Sequence, residues 1–177
     1  PDAVGSVGGW NAGSVDRFIA GYRAGARRAS PSIRLLNGYA FNFWDPDPCE
    51  RIASGQIAKG VGVVFSVAGG CGLGTLAAAR RHRVFGIGVD IDQSALGPYV
   101  LTSAVKDVGL ITYLTIELLV QGRLDTGGDT TLGLREGVLR LGRVSPRVPR
   151  ALIERTLEIE RRIASGRIKG IPTTVGK

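Results

Sequence analysis

Two hydrophobic periods alternate along the first 120 residues. Short apolar runs at 4–7, 33–39, 61–67, 84–89 and 99–103 read as buried strands. Between them the apolar positions fall three and four apart. Positions 15, 18, 19, 22 and 26 define the inner face of a helix that ends near Ala29, before Pro31. A second helix spans 46–59 with Asp45-Pro46 at its start and Gly60 as its stop. A third covers 73–81. A fourth, opened by Lys106-Asp107, runs through Val120 with apolar positions at 108, 111, 114 and 118. Ser14 is the expected N-cap of the first helix. The alternation βαβαβαβαβα predicts a doubly wound parallel sheet with right-handed crossovers.

The pattern then changes. Residues 125–129 are turn-rich, and 130–141 hold a short strand interrupted by Gly133 and Gly137. A long helix is predicted over 149–165 with Gly166 as its stop, and an edge strand over 168–177. On that helix Leu152, Ile159 and Ile163 share a face, beside Ile153 and Leu157, and need an apolar partner.

Length and composition narrow the class. One domain is the expectation for 177 residues. The hydrophobic fraction of 44% and charged fraction of 21% are those of an ordinary globular chain. No apolar run reaches the roughly 18 residues that span a bilayer. Residue 1 is Pro, and no signal or anchor is expected within this chain. It opens almost directly on a strand, so its true beginning is expected upstream. The net charge of +8 comes from 19 Arg and 4 Lys against 15 acids. Such a balance fits an anionic partner or simply solvated helix faces. The arginines are dispersed and few aromatics lie among them, which favours solvated faces and no nucleic-acid partner. Cys49 and Cys71 lie in different elements and fit neither a disulfide framework nor paired metal ligands. His82 closes a basic helix end, where a cation suits the helix dipole.

The candidate chemistry gathers at one βαβ unit. Glycines at 69, 70, 72 and 74 follow the strand at 61–67, and Asp90 ends the next strand. Gly70-x-Gly72 begins a dinucleotide fingerprint whose third position falls on Thr75, and Asp90 lies about 20 residues on, where a ribose-binding acid would stand. The same features describe a tight βα turn and a turn-forming Asp. Asp92, in Asp92-Gln93-Ser94, is the better turn-forming residue. Lys106 follows the fifth strand, at the same carboxyl edge. The loop 40–46 carries Phe41, Phe43 and Trp44, three of the chain's eleven aromatics. One of them is expected in the core, and another could stack on a flat ring. The order of residues provides no nucleophile–base set, no Walker lysine and no paired metal ligands, so binding is better supported than catalysis.

Taken together, these residues resemble the basic membrane protein family, the purine nucleoside receptor lipoproteins of ABC transporters. The likeness rests on Val4-Gly-Ser-Val-Gly-Gly with Arg17-Phe-Ile-Ala-Gly-Tyr-Arg-Ala-Gly, and on Phe43-Trp-Asp-Pro. It continues through Val67-Ala-Gly-Gly-Cys-Gly-Leu-Gly, Ile87-Gly-Val-Asp-Ile-Asp-Gln, Leu101-Thr-Ser-Ala-Val-Lys and Gly133-Leu-Arg-Glu-Gly-Val.

The resemblance implies an α/β fold: one lobe of a type I periplasmic-binding-protein-like structure, a sheet of flavodoxin-like order, plus a C-terminal crossover strand and helix. It implies a ligand-binding lobe over 1–124, and a crossover or hinge strand, helix and tail over 125–177. Phe43 matches the family's base-stacking residue, Gly69 and Gly70 its backbone contacts, and Asp90 and Lys106 the residues that hold the ribose. No cofactor and no catalysis are implied. The partners are a nucleoside, a transporter permease and the family's first lobe, which this chain lacks. The implied location is the extracytoplasmic face of the membrane, with a lipid anchor in the full-length protein. Two other readings stand beside this one: a cytoplasmic nucleoside-sensing regulator of the same fold, and a nucleotide-dependent α/β enzyme.

Overall fold

The computed structural model describes residues 2–176. In chain order the elements are β1 (Ala3–Gly8), α1 (Gly13–Ala29), β2 (Arg34–Tyr39), α2 (Pro46–Ala58), β3 (Val63–Val67), α3 (Gly72–Arg81), β4 (Phe85–Asp90), β5 (Val100–Lys106), α4 (Val108–Val120), β6 (Leu139–Leu141) and α5 (Arg150–Ala164). Short 3-10 turns cover Gly69–Cys71 and Ser94–Leu96. The six strands form one sheet in the order β2-β1-β3-β4-β5-β6. The first five are parallel, and β6 returns antiparallel beside β5, pairing Lys106 with Leu139. The doubly wound order expected from the alternation is therefore present, with the β1/β3 neighbourhood as its switch point.

Side-chain alternation along the strands assigns the helices to layers. Phe65, Val67 and Val89 face α1 and pack with Val15 and Ile19. Ala3, Val7 and Val64 face the opposite side, where Cys49 and Ala53 of α2 and Ala78 and Ala79 of α3 close the core. Strands buried on both faces read as continuous apolar runs rather than alternating ones, as β1 and β3 do. Their carboxyl ends all point to one edge, where the loops after β1, β2, β3 and β4 gather.

Four expectations need correction. Ser14 does not cap α1: the cap residue is Ala12, without a side-chain bond, and Ser14 lies one residue inside the helix. None of Phe41, Phe43 and Trp44 is buried, at 60%, 38% and 86% exposure. Phe41 and Trp10 pack edge to face on the rim instead. Residues 168–176 form no strand; Lys177 lies outside the described residues. Cys49 and Cys71 are joined as a disulfide. Residue spacing registers only local frameworks, whereas this bridge joins separate elements. Successive right-handed crossovers place the starts of α2 and α3 side by side at the carboxyl edge. A sequence separation of 22 thereby becomes a Cα–Cα distance of 5.7 Å.

The helices after β5 behave differently from the first three. No residue of α4 is buried, and Val108, Tyr113, Ile116, Leu119 and Val120 are exposed. Its sequence, nearly all apolar, describes a helix meant to be covered. In α5, Ile159 and Ile163 face the sheet near Phe18, Ala104 and Leu141, whereas Leu152 and Leu157 are exposed. No helix among the described residues is long and apolar enough to cross a membrane.

Candidate functional site

The carboxyl edge of the sheet carries a small cleft of about 150 Å³. Its lining brings together Phe43, Gly69, Asp90 and Lys106, from four separate segments, with Ser14, Val15 and Phe18 of α1 and the strand-end residues Val67 and Val89. Gly70 is not in this lining. It is exposed, and a Cβ there would stand 3.2 Å from the Phe43 carbonyl oxygen.

Each wall has a local cause. Asp45 caps α2 by accepting from the Asp47 N–H at 3.0 Å. Pro46 then starts the helix where its missing N–H costs nothing. The Asn42 side chain accepts from the Trp44 and Asp45 N–H groups at 2.7 and 2.9 Å, closing the loop on itself. Phe43 is thus presented outward, its ring against Gly9 and Gly69. Gly69 begins the turn after β3 with φ +54, a left-handed conformation that a side chain would strain.

Asp90 ends β4 and Lys106 ends β5, in strands whose register pairs Asp90 with Val105. Their side chains meet, Nζ to Oδ1, at 3.2 Å. Both remain about two-fifths exposed, at 43% and 38%, so the carboxylate can still accept from a ligand. Asp90 also adopts φ +65. A non-glycine residue there costs of order 1 kcal/mol, and such strain persists where the surroundings enforce it, often at functional sites.

The neighbouring Asp92 has a different task. Its carboxylate accepts from the Ser94 N–H and from the Arg143 N–H, each at 3.0 Å. Those bonds hold it below the usual carboxylate range, the Ser94 N–H contributing most. Asp92 therefore fastens the segment after β6 to the β4–β5 connection and takes no part in the cleft. The turn chemistry expected for it was correct; its bond to Arg143 was not visible in the local sequence. Ser14 and Phe18 were missed as lining residues. The available signal was their position just after β1, at the edge where open α/β sheets bind ligands.

A larger cavity of about 800 Å³ opens elsewhere, between α1, the β3–β5 face and α5. Its walls are chiefly apolar, and the Tyr22 hydroxyl within it is buried without a partner, which raises that phenol's pKa. The Asp90–Lys106 pair lies outside it. The Asp90–Lys106 ion pair, the partly exposed Phe43 ring and the left-handed Gly69 backbone meet at the smaller cleft, at the carboxyl edge where open α/β sheets bind ligands, and this makes it the better candidate.

Comparisons with known proteins agree with this architecture. Basic membrane protein B of Borreliella burgdorferi is 36% identical over 143 residues, covering 78% of this chain and 42% of that protein. A Lactococcus lactis protein named as an ABC transporter nucleoside-binding protein, BmpA, is 31% identical over 157 residues, covering 78% of this chain and 45% of its own length. The crystal structure of an ABC transporter solute-binding protein from Aeropyrum pernix superposes with a TM-score of 0.79 at 25% identity, over 96% of this chain and 58% of that one. The chain thus spans less than half the length of these two curated relatives. A family model described as ABC transporter substrate-binding protein, PnrA-like, matches residues 2–172, and the chain belongs to that family.

Proposed function

We propose that this chain forms one wall of a purine nucleoside site in the substrate-binding component of an ABC transporter, and that it binds without chemistry. The convergence of Phe43, Gly69, Asp90 and Lys106 on one cleft carries the reading. In it, the Phe43 ring stacks on the base, as aromatic side chains do on nucleobases. The Gly69 turn brings backbone close to the ligand. Asp90 accepts from the vicinal ribose hydroxyls, and Lys106 fixes the carboxylate and donates to the same sugar. A carboxylate in this place discriminates, because a ligand without hydroxyls leaves it unpaired. The Lactococcus relative's description as nucleoside-binding supports the choice of ligand.

The cleft is smaller than the roughly 300 Å³ at the low end of ordinary ligand sites. That size suits a half-site completed by the lobe the family carries elsewhere. The permease is then a partner of the whole receptor. The buried disulfide favours an oxidising compartment, and with it the outer face of the membrane rather than a cytoplasmic regulator.

Saturation-transfer NMR with guanosine and adenosine tests the proposal. The expected result is transfer to base and ribose protons, with weak, millimolar affinity, abolished in Phe43→Ala and Asp90→Ala. No transfer at millimolar nucleoside, or equal transfer in both variants, overturns it.

A further inference from the structure

The two cysteines do not line the cleft, yet both sit directly behind it. Cys49 lies in the first turn of α2, shortly after the Phe43 loop. Cys71 ends the turn that Gly69 begins and immediately precedes α3. Both are fully buried, and they pack as one cystine with Val7, Ala53, Ala68 and Ala78. The bridge therefore clamps together the two segments that supply the ring and the glycine backbone.

Few other bonds do so. The Cys71 N–H donates to the Phe43 carbonyl at 3.0 Å, tying the two segments directly. The Asn42 and Asp45 side-chain bonds shape the aromatic loop from within and do not reach the glycine turn. The Asn42 N–H donates to Gly9, on the opposite side of the loop. Trp44 stands 86% exposed and contributes little packing. Phe43 is held against Gly69 by one backbone hydrogen bond, the α2–α3 contact, and the covalent bridge.

We propose that Cys49 and Cys71 are a positioning pair for the ligand cleft: their disulfide locks the Phe43 loop onto the Gly69 turn, and its reduction loosens that wall and weakens ligand binding. A dithiol reductant would break the S–S bond by delivering two electrons and two protons to the sulfurs, itself becoming a disulfide. Both sulfurs are buried, so attack requires local opening and is slow. The bridge works as a standing lock in an oxidising compartment, not as a rapid switch. The proposal rests on the proposed function only for the identity of the ligand.

The test uses the whole chain, recovered from an oxidising compartment, and reads the wall independently of any nucleoside. Thiol labelling of the denatured, unreduced protein should find no free cysteine. Hydrogen–deuterium exchange is then compared in the oxidised chain, the chain reduced with a phosphine, and Cys49→Ser/Cys71→Ser. Exchange at the Cys71 amide and through 43–50 should rise without the bridge about tenfold or more beyond the rise in β1, which follows global stability alone. Guanosine affinity should fall as well, about tenfold if only about a tenth of the molecules keep the wall in place. Two free thiols in the unreduced protein, unchanged exchange at Cys71, or equal loss of protection in β1 would each overturn the proposal. Raised exchange with no guanosine binding to the oxidised chain would leave the lock standing and sink the nucleoside reading instead.

Discussion

Replacing Asp90 by Asn separates what this residue does for the fold from what it does for a ligand. Its ion pair with Lys106, 3.2 Å long and about two-fifths exposed on each side, stabilises the fold by at most about 1 kcal/mol. Asn tolerates the left-handed backbone at φ +65 at least as well as Asp. The two effects offset one another, so Asp90→Asn should change unfolding free energy by less than about 1 kcal/mol. Binding is a different matter. The substitution removes the charge that strengthens hydrogen bonds from the ribose, a loss of about 1.5–3 kcal/mol, or roughly 10- to 150-fold in dissociation constant. The dependence on the ligand is the sharper check. Guanosine should lose that factor, whereas 2′,3′-dideoxyguanosine should bind weakly to both proteins and lose almost nothing. Saturation transfer from the two proteins to the two nucleosides, compared at one fixed millimolar ligand concentration, ranks the four affinities. Equal weakening for both ligands would mean that the carboxylate does not meet the ribose. An unchanged guanosine constant would remove Asp90 from the site altogether.

Four further outcomes are expected. Cys49→Ser/Cys71→Ser frees a loop of 22 residues and should cost about 3 kcal/mol by the chain-entropy estimate, seen as a lower urea midpoint with the native fold retained by circular dichroism. Gly74→Ala places a Cβ over the Pro46 carbonyl oxygen, 2.8 Å from its carbon and 3.0 Å from the Glu50 nitrogen. The resulting separation of α2 from α3 should lower stability by about 1–3 kcal/mol, despite the better helix propensity of Ala, and chemical denaturation measures it. The exposed apolar residues of α4 should make the chain self-associate with concentration, and Ile116→Lys/Leu119→Lys should shift light scattering toward monomer. Asp92 has its pKa depressed in the folded state, so its contribution is present above its unfolded pKa and is lost as pH falls through the folded value. Asp92→Asn should therefore lower stability at neutral pH and flatten the acid side of the stability–pH profile, which urea midpoints measured across pH read out.

The parts of the molecule legible in the sequence are those whose causes are local. Asp45-Pro46, Gly60 and the apolar periods mark α2 and β3 to within about two residues, because capping and burial act over a single turn or strand. The segments carrying Phe43, Gly69, Asp90 and Lys106 could be placed together because each ends or follows a predicted strand and parallel order brings strand ends to one edge, whereas the choice of Phe43 within its loop and of Gly69 within its turn rested on the family resemblance. Pairings that cross the sheet left no local mark. Tyr39 donates to Asp16 at 2.6 Å and so ties the end of β2 to the first turn of α1. Arg143 reaches Asp92 across 51 residues. The Cys49–Cys71 bridge joins two helix starts that only the crossover geometry makes neighbours. Periodicity located α4 through Val120 but not its cover, since an apolar helix announces that it needs a partner without saying which one.

The uncovered surface of α4 bears on how the cleft works. The first three helices are packed on the sheet, and the cleft residues sit on α1, on strand ends and on the loops after β2 and β3. The helices after β5 are not: α4 has no buried residue, and α5 exposes Leu152 and Leu157. The boundary between the two regimes falls at Lys106-Asp107, immediately beside the ion pair with Asp90. A rigid wall therefore meets a segment whose apolar surface is free to be covered, and the junction lies at the ligand. In a receptor completed by a second lobe, covering α4 and closing on the ligand would act on the same few residues. A chain with α4 covered should hold Lys106 more firmly toward Asp90, and so bind the ribose more tightly without any new contact to it. Fusing this chain to the complementary lobe of a relative, and measuring guanosine affinity with and without Ile116→Lys, tests that coupling. A weaker constant in the α4 variant supports it, and an identical constant refutes it.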